Sequence, residues 1–183
     1  MPGYIPLSNN ALKTLRTGGV FVPSPLAMDE KKRPNEAYQQ LITLYYIKSG
    51  AKAVIPGAHT GEFALNDLHV FSNWLGLVKE TTHSYGKDML LMAAIGGKDA
   101  LKQAEISAKY GYDIAMVAPT AFVGKDAKGV VDLLSDIASI IPTYGFELDA
   151  RYQEHMVLIL NYGVKFLTLP MAQKVLHLIH TDL

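Results

Sequence analysis

The sequence predicts an α/β protein in which short parallel strands alternate with helices. Six runs rich in apolar and β-branched residues recur along the chain, and each is followed by a segment with helical spacing. These runs are apolar at both alternating positions, which is typical of strands covered on both faces of a parallel sheet. They lie at residues 20–22, 53–55, 90–95, 114–117, 143–146 and 164–167. Such alternation builds either a doubly wound sheet or a (β/α)₈ barrel, and the pattern alone does not decide between them.

The segments between the strands carry start and stop signals for helices. In residues 36–48, apolar side chains recur at spacings of three and four, which predicts a helix with one buried stripe. The stripe consists of Tyr38, Leu41, Ile42, Tyr45 and Tyr46. Gly50 ends this helix, Gly111 ends a helix over 100–110, and Asp126 is a good N-cap for the helix after it.

The composition limits the domain count and the classes of partner. With 183 residues, of which 49% are hydrophobic, residues 1–183 are expected to form a single domain. The 17 basic and 17 acidic side chains balance, so no long-range field attracts nucleic acid or an anionic membrane. No apolar stretch approaches the roughly 20 residues of a membrane-spanning helix. The first residues lack a secretory signal pattern, so we expect a cytoplasmic protein.

Common signatures of cofactor and nucleophile chemistry are missing from the sequence. The chain has no cysteine, so it has neither a disulfide framework nor a thiolate nucleophile. It has no G-x-G-x-x-G after an early strand, no Walker-type phosphate loop and no G-x-S-x-G elbow. We therefore expect no cofactor.

The loop at residues 57–63 carries the most specific motif. It reads Gly-Ala-His-Thr-Gly-Glu-Phe and resembles the G-T-T-G-E-F loop of the dihydrodipicolinate synthase and N-acetylneuraminate lyase family. Residues 19–26 are similar to that family's first strand and proline-containing loop, and residues 110–113 to its G-x-D before the fourth strand. The resemblance extends over residues 11–170 and implies a TIM barrel. Because a full barrel needs about 250 residues, we expect an incomplete one of about six units.

The resemblance also implies a reaction, that of a lyase of the class I aldolase type acting on pyruvate or another 2-oxo acid. In this chemistry a desolvated lysine amine with a lowered pKa attacks the ketone, and the resulting iminium accepts electrons from the breaking carbon–carbon bond. By resemblance, Thr60 and Gly61, with Glu62 beside them, would bind the substrate carboxylate. His59, whose ordinary pKa is about 6.5, would replace a missing hydroxyl in proton transfer.

Three positions depart from the family pattern. The family's Schiff-base lysine falls on Thr168, so the candidate nucleophile is Lys165, which reaches the same side only if the strand register shifts by an odd number of residues. The family's catalytic tyrosine falls on Phe146, and its tyrosine pair after the fourth strand falls on residues 120–122. The alternative hypothesis is therefore a non-catalytic relative that retains the fold and a carboxylate-binding loop.

Polar side chains near the second strand raise the question of a metal. His59, Glu62, Asp67 and His69 lie close together in the sequence, and two histidines with a carboxylate can form a catalytic zinc site. Their spacing matches no metal signature, and Asp67 is a good N-cap, so we expect helix-capping groups and no metal.

The two edges of the predicted sheet affect the oligomeric state that we expect. An open arc of six strands exposes two edges, which proteins pair, cover or charge. We expect a homo-oligomer in which a second copy pairs with an edge. The alternatives are a truncated barrel and coverage of the sheet by residues 171–180 as a helix.

Overall fold

A computed structural model describes residues 5–58, 67–86 and 89–145, which form one layer of parallel strands with helices against it. The strands are β1 (Phe21–Ser24), β2 (Ala53–Pro56), β3 (Leu90–Ile95), β4 (Ile114–Val117) and β5 (Thr143–Gly145). The helices are α1 (Asn9–Thr17), α2 (Glu36–Lys48), α3 (Leu68–Tyr85), α4 (Ala100–Lys109) and α5 (Ala127–Ile140), with a 3₁₀ helix at Pro119–Phe122. Five of the predicted strands are present, and the sixth, at residues 164–167, lies outside the described residues.

The strand order decides between the two α/β architectures. All neighbours are parallel, and the order β1-β2-β3-β4-β5 follows the chain without reversal. A doubly wound sheet reverses its order at a switch point, whereas sequential right-handed connections place every connecting helix on the same face. Helices α2 to α5 accordingly pack against one another in chain order. The fold is an open arc of a barrel, as the sequence predicts.

Two apolar cores lie on opposite faces of this arc. The outer core packs the helices against the sheet, with Leu75 and Val78 of α3 and Ile137 of α5 among its most buried side chains. The inner core contains the alternate strand residues, such as Met92 on β3 and Met116 on β4. Strands β2, β3 and β4 are buried at every position, which explains why their sequences are apolar throughout.

Helix α1 covers the inner face at one end of the arc. Its Ala11 and Leu15 belong to the inner core or pack against it. Only residues 18–20 separate α1 from β1, so α1 lies at the amino ends of the strands. Just before α1, the backbone N–H of Ile5 donates to the carbonyl of Ala138 in α5, 3.0 Å away. The amino-terminal segment therefore spans the arc from α5 to β1 and forms its floor.

Helix α2 has the predicted bounds, but the prediction of its buried face is wrong. Tyr38, Leu41 and Tyr45 are 57%, 59% and 67% exposed, and the buried residues are Gln39 and Thr43. Tyr46 of the predicted stripe does pack against the outer core, but the side of α2 that is fully buried carries Gln39, which holds the neighbouring loop.

The predicted helix caps are confirmed. The carboxylate of Asp126 accepts from the N–H of Gly129 at 2.8 Å, and that of Asp67 accepts from the N–H of His69 at 2.7 Å. The chain turns at Gly111 with φ of +70° directly after α4. Trp74 is 5% exposed and lies in the outer core.

Candidate active site

The carboxyl ends of the strands form the candidate active site. The strands are parallel, so the loops after β1, β2, β3 and β4 all emerge at the same end of the arc, opposite the floor formed by α1. In TIM-barrel enzymes the catalytic side chains lie on these loops and strand ends.

Gly57 determines how the chain leaves β2. It has φ of +84°, a left-handed conformation that glycine adopts without a steric penalty. A Cβ at this position would collide with the carbonyl oxygen of Ala94 on β3. The loop at residues 57–63 therefore begins with a close approach between two backbones, which fixes the direction in which the chain leaves β2.

The site residues predicted from the sequence follow this first turn in the chain. His59, Thr60, Gly61 and Glu62 fall outside the described residues, and so does Lys165. Their roles in carboxylate binding, proton transfer and nucleophilic attack therefore remain predictions.

A buried glutamine holds the loop after β1. Gln39, at the fourth position of α2, is 1% exposed, and its Oε1 accepts from the backbone N–H of Ala27 at 2.9 Å. Its Nε2 donates to Oγ of the fully buried Ser24, 3.2 Å away. The amide thus satisfies two buried polar groups and ties the helix to the end of the strand.

The loop after β3 is held in the same way. Gln103, at the fourth position of α4, accepts through Oε1 from the N–H of Gly96 at 2.8 Å. The next amide, Gly97 N–H, donates to Oγ1 of Thr120 beyond β4 at 3.2 Å. Two of the loops at this end are therefore fixed by side chains of the following helix, so the described rim is preorganised.

Tyr144 places a phenol on the inner face near this rim. In the sheet it is the register partner of Met116, and Met116 belongs to the inner core. Paired residues of neighbouring strands point to the same face, so Tyr144 faces inward. It is 37% exposed, and the other side chains that the described strands direct to this face are apolar. Tyr144 is thus the one hydroxyl that these strands supply to the interior.

Residues 120–122, which correspond by resemblance to the family's tyrosine pair, have structural roles in this chain. Ala121 and Phe122 are 4% and 7% exposed and lie in the outer core. Thr120 is engaged with Gly97, as described above. None of these three side chains extends freely from the rim.

Arg33, a cation at the rim, forms an ion pair within its own loop. The guanidinium of Arg33 donates to the carboxylate of Asp29 at 2.7 and 2.9 Å. The backbone N–H of Arg33 and its side chain together lower the pKa of Asp29. The pair closes the turn at residues 29–33, so Arg33 serves this loop and is not a ready ligand for a substrate carboxylate.

Asp113 lies at the opposite end of the sheet and has a structural role. It precedes β4, and its Oδ2 accepts from the N–H of Leu91 at 2.9 Å. Burial raises the pKa of this carboxyl, and the hydrogen bond from Leu91 and the charge of Lys79 oppose that effect. Its bond joins β3 to β4 far from the rim, which makes it unsuitable as a catalytic acid there.

Neither a cluster of metal ligands nor a membrane-spanning helix is found in the described part of the chain. Within it, no three histidine or acidic side chains converge as a metal site would require. None of its helices is both long enough and apolar enough to cross a membrane.

The arc of sequential β/α units defines a protein of the TIM-barrel class, and known structures have the same fold. The fold matches N-acetylneuraminate lyase from Mycoplasma synoviae at a TM-score of 0.62 and 18% identity, over 78% of this chain and 50% of that one. It matches dihydrodipicolinate synthase from Oceanobacillus iheyensis at 0.62 and 15%, over 76% and 48%. The pyruvate complex of dihydrodipicolinate synthase from Acinetobacter baumannii matches at 0.64 and 14%, over 71% and 45%.

These likenesses confirm the resemblance found in the sequence at the level of the fold. No protein-family model matches the sequence, and a comparison with curated proteins finds no match either. The chain spans about half the length of the solved structures it matches. It has the fold of this group of lyases over the part of the barrel that it contains.

Sequence reasoning missed three residues at the rim. Gln39 and Gln103 occupy the same position in two helices, and this repetition was the available signal. The alternation of side chains along a strand was the available signal for Tyr144. It lies two residues before Phe146, where the family's tyrosine falls, and residues two apart in a strand point to the same face.

Proposed function

We propose that this protein binds a small 2-oxo acid such as pyruvate at the carboxyl ends of its strands and acts on it as a lyase through a lysine Schiff base. The observation that carries the proposal is the loop opened by Gly57, which combines the motif of residues 57–63 with the strand end where barrel enzymes hold their substrates. The lyase-type fold supports it.

The proposed chemistry assigns one role to each predicted site residue. The Lys165 amine attacks the ketone carbon, and loss of water leaves a protonated imine. In a longer 2-oxo acid, the bond between the carbon next to the ketone carbon and a hydroxyl-bearing carbon beyond it then breaks. The imine accepts the electron pair and becomes an enamine, the hydroxyl loses its proton and the distal fragment leaves as an aldehyde, and protonation and hydrolysis of the enamine release pyruvate. The backbone and hydroxyl of Thr60, the backbone of Gly61 and the adjacent Glu62 hold the carboxylate end of the substrate. His59 transfers protons near neutral pH.

Tyr144 adds a hydroxyl from the opposite side of the arc. A two-residue step along a strand rises about 6.6 Å, which is comparable to the length of a tyrosine side chain. A phenol rooted at Tyr144 therefore reaches toward the level of Phe146, where the family's tyrosine is missing. We assign Tyr144 the hydrogen bond to the ligand that Phe146 cannot make.

Trapping with borohydride tests the Schiff base. Incubation with pyruvate and borohydride is expected to add one reduced pyruvate unit at Lys165, because hydride fixes the imine as a stable secondary amine. Mass spectrometry of the intact protein and of its peptides measures the adduct, with Lys165→Ala and Lys52→Ala as test and control. Loss of the adduct in Lys165→Ala alone supports the proposal. If no adduct forms under conditions that label an authentic lyase of this fold, the Schiff-base function is wrong.

Removing the Tyr144 hydroxyl tests the proposed hydrogen bond. Tyr144→Phe is expected to weaken pyruvate binding by about tenfold or more, since a hydrogen bond to a charged group contributes about 1.5 to 3 kcal/mol. Isothermal titration calorimetry measures the Kd. Tyr85→Phe removes a phenol that is 67% exposed at the end of α3, and its Kd is expected to remain unchanged. Equal affinity in wild type and Tyr144→Phe would remove Tyr144 from the site.

A non-catalytic binding protein is the second candidate. It is favoured by the burial of Ala121 and Phe122 and by the apolar character of the inner face around Tyr144. Binding of pyruvate in calorimetry together with the absence of any trapped adduct would select this function.

A further inference from the structure

Helix α4 begins without the side-chain cap that the other four α-helices have. In α1, α2, α3 and α5 the N-cap side chain accepts a hydrogen bond from a backbone N–H of the first turn; these N-cap residues are Ser8, Asn35, Asp67 and Asp126. Asp99 holds the same position in α4 and makes no such bond. Its Oδ1 lies 3.4 Å from Nζ of Lys102 instead. The free N–H groups at residues 100–102 therefore have no acceptor among the described residues.

A buried amide beside this turn has unused hydrogen-bond donors. Gln103 is 5% exposed, and its Oε1 accepts from the N–H of Gly96 at 2.8 Å. No described residue accepts a hydrogen bond from its Nε2, which carries two hydrogens. In α2 the corresponding Gln39 uses both ends of its amide, because its Nε2 donates to Ser24. A helical side chain leans toward the amino end of its helix, so the Nε2 of Gln103 lies beside the first turn of α4.

The loop before α4 adds a hydroxyl and a cation. The N–H of Gly97 donates to Oγ1 of Thr120, and the hydroxyl hydrogen of Thr120 is left to donate in its turn. A Cβ on Gly96 would collide with the same Oγ1, so the glycine brings this loop against the end of β4. Lys98, the next residue after the two glycines, is exposed. Donors from the loop, the helix and the end of β4 thus meet at the carboxyl end of β3.

The geometry points to a binding site for a small oxyanion, a phosphate or a carboxylate, at the amino end of α4. The free N–H groups and the positive end of the helix dipole favour negative charge there. The amide of Gln103 and the hydroxyl of Thr120 donate to the oxygens of the anion, and the ammonium of Lys98 supplies a full positive charge. Asp99 is the carboxylate beside the site, and Lys102 offsets its charge. The site uses neither residues 57–63 nor Lys165, so it does not depend on the Schiff base.

Inorganic phosphate is the probe for this site. Isothermal titration calorimetry measures its Kd at constant ionic strength, and sodium chloride serves as the control for charge screening. Gln103→Glu keeps an oxygen for the N–H of Gly96 but replaces the donating NH₂ group by a second oxygen. The Kd for phosphate is expected to rise about tenfold or more in this variant, because a hydrogen bond to a charged group is lost.

Two exposed lysines provide a matched pair of variants. Lys98 directly precedes the N-cap residue of α4, and Lys125 directly precedes that of α5. In α5 the carboxylate of Asp126 already accepts from the N–H of Gly129. Lys98→Gln is therefore expected to raise the Kd for phosphate about two- to fivefold, whereas Lys125→Gln should leave it unchanged.

A titration with pyruvate identifies the source of the oxyanion. Phosphate that binds with the same Kd in the presence of pyruvate occupies a site of its own, and phosphate that pyruvate displaces occupies the place of the substrate carboxylate. If phosphate binds as expected but pyruvate does not, the proposed function fails and the oxyanion site stands.

Two results would overturn the site at α4. One is the absence of saturable phosphate binding to the wild type, and the other is an equal Kd in the wild type, Gln103→Glu and Lys98→Gln. Circular dichroism shows whether each variant is folded. Should Gln103→Glu not fold, the comparison of Lys98→Gln with Lys125→Gln decides, because both lysines are exposed.

Discussion

Replacing Gly57 with alanine is expected to lower the free energy of unfolding by about 3 to 4 kcal/mol. Two physical effects combine in this substitution. A left-handed conformation costs a residue with a Cβ about 1 to 2 kcal/mol, and forcing an extra methyl group into a packed site costs about 1 to 3 kcal/mol. Gly57 has φ of +84°, and its added Cβ would collide with the carbonyl of Ala94. Ala94 is in the middle of the sheet and cannot easily move.

Gly124 provides the matched control for this change. It has φ of +74°, but no atom lies within 4 Å of the position its Cβ would occupy. Gly124→Ala therefore has the conformational cost without the collision, about 1 to 2 kcal/mol. Thermal and urea unfolding measure the loss of stability in each variant. For Gly57→Ala the expected loss corresponds to a fall in Tm of about 6 to 15 °C.

The same pair of variants connects the fold to the proposed function. A displaced turn at Gly57 moves the start of the loop that carries Thr60 and Gly61, so Gly57→Ala should also lose the borohydride adduct. Equal destabilisation of the two glycine variants would show that the backbone of β3 can yield, and that the close approach does not fix the loop.

Replacing Gln39 with leucine is expected to lower the free energy of unfolding by about 2 to 4 kcal/mol. The two side chains are similar in size, so the change mainly removes hydrogen bonds. The buried N–H of Ala27 loses its acceptor, and the hydroxyl of Ser24 loses the donor beside it. Each buried polar group left without a partner costs about 1 to 3 kcal/mol.

Gln40 allows a control on the same helix. It follows Gln39 directly but is exposed, so Gln40→Leu should change the free energy of unfolding by no more than about 0.5 kcal/mol. A second variant, Ser24→Ala in the Gln39→Leu background, removes the hydroxyl that has lost its donor and keeps only a long bond of 3.4 Å to the carbonyl of Pro25, so it should recover part of the lost stability. Urea unfolding of the wild type, Gln39→Leu, Gln40→Leu and the double variant measures these free energies of unfolding. Equal stability of Gln39→Leu and Gln40→Leu would contradict the role of the buried amide.

The sequence was informative about strands and helices because their constraints are local. Strands β3 and β4 have the predicted bounds, since side chains buried on both faces leave an unbroken apolar run between turn residues. The caps at Asp67 and Asp126 were equally readable, because a cap depends on residues only two or three positions away. The choice between a barrel and a doubly wound sheet depends on the order of the strands in the sheet, and the periodicity of the sequence does not encode that order.

The burial of α2 was predicted incorrectly for a related reason. Periodicity identifies the apolar side of a helix, but it does not show whether a neighbour lies on that side. In α2 the polar Gln39 faces inward to serve a loop, while Tyr38 and Leu41 face the flank that lacks a described neighbour. The family's tyrosine falls on Phe146, so the motif does not point to the phenol of Tyr144 two residues earlier. The predicted site residues around Thr60 and at Lys165 lie outside the described residues and stay predictions.

The floor of the arc has a consequence for the order in which the molecule is assembled. The N–H of Ile5 bonds to Ala138, so the first described residue of the chain finds its partner in the last described helix. During synthesis from the amino terminus, α1 emerges before the inner face that it covers, which is complete only when β1 to β4 and α5 have emerged. Its Ala11 and Leu15 must remain uncovered for most of that time. Helix α1 is therefore made before the strands that it covers but docks after them, and pairing across so long a separation slows folding.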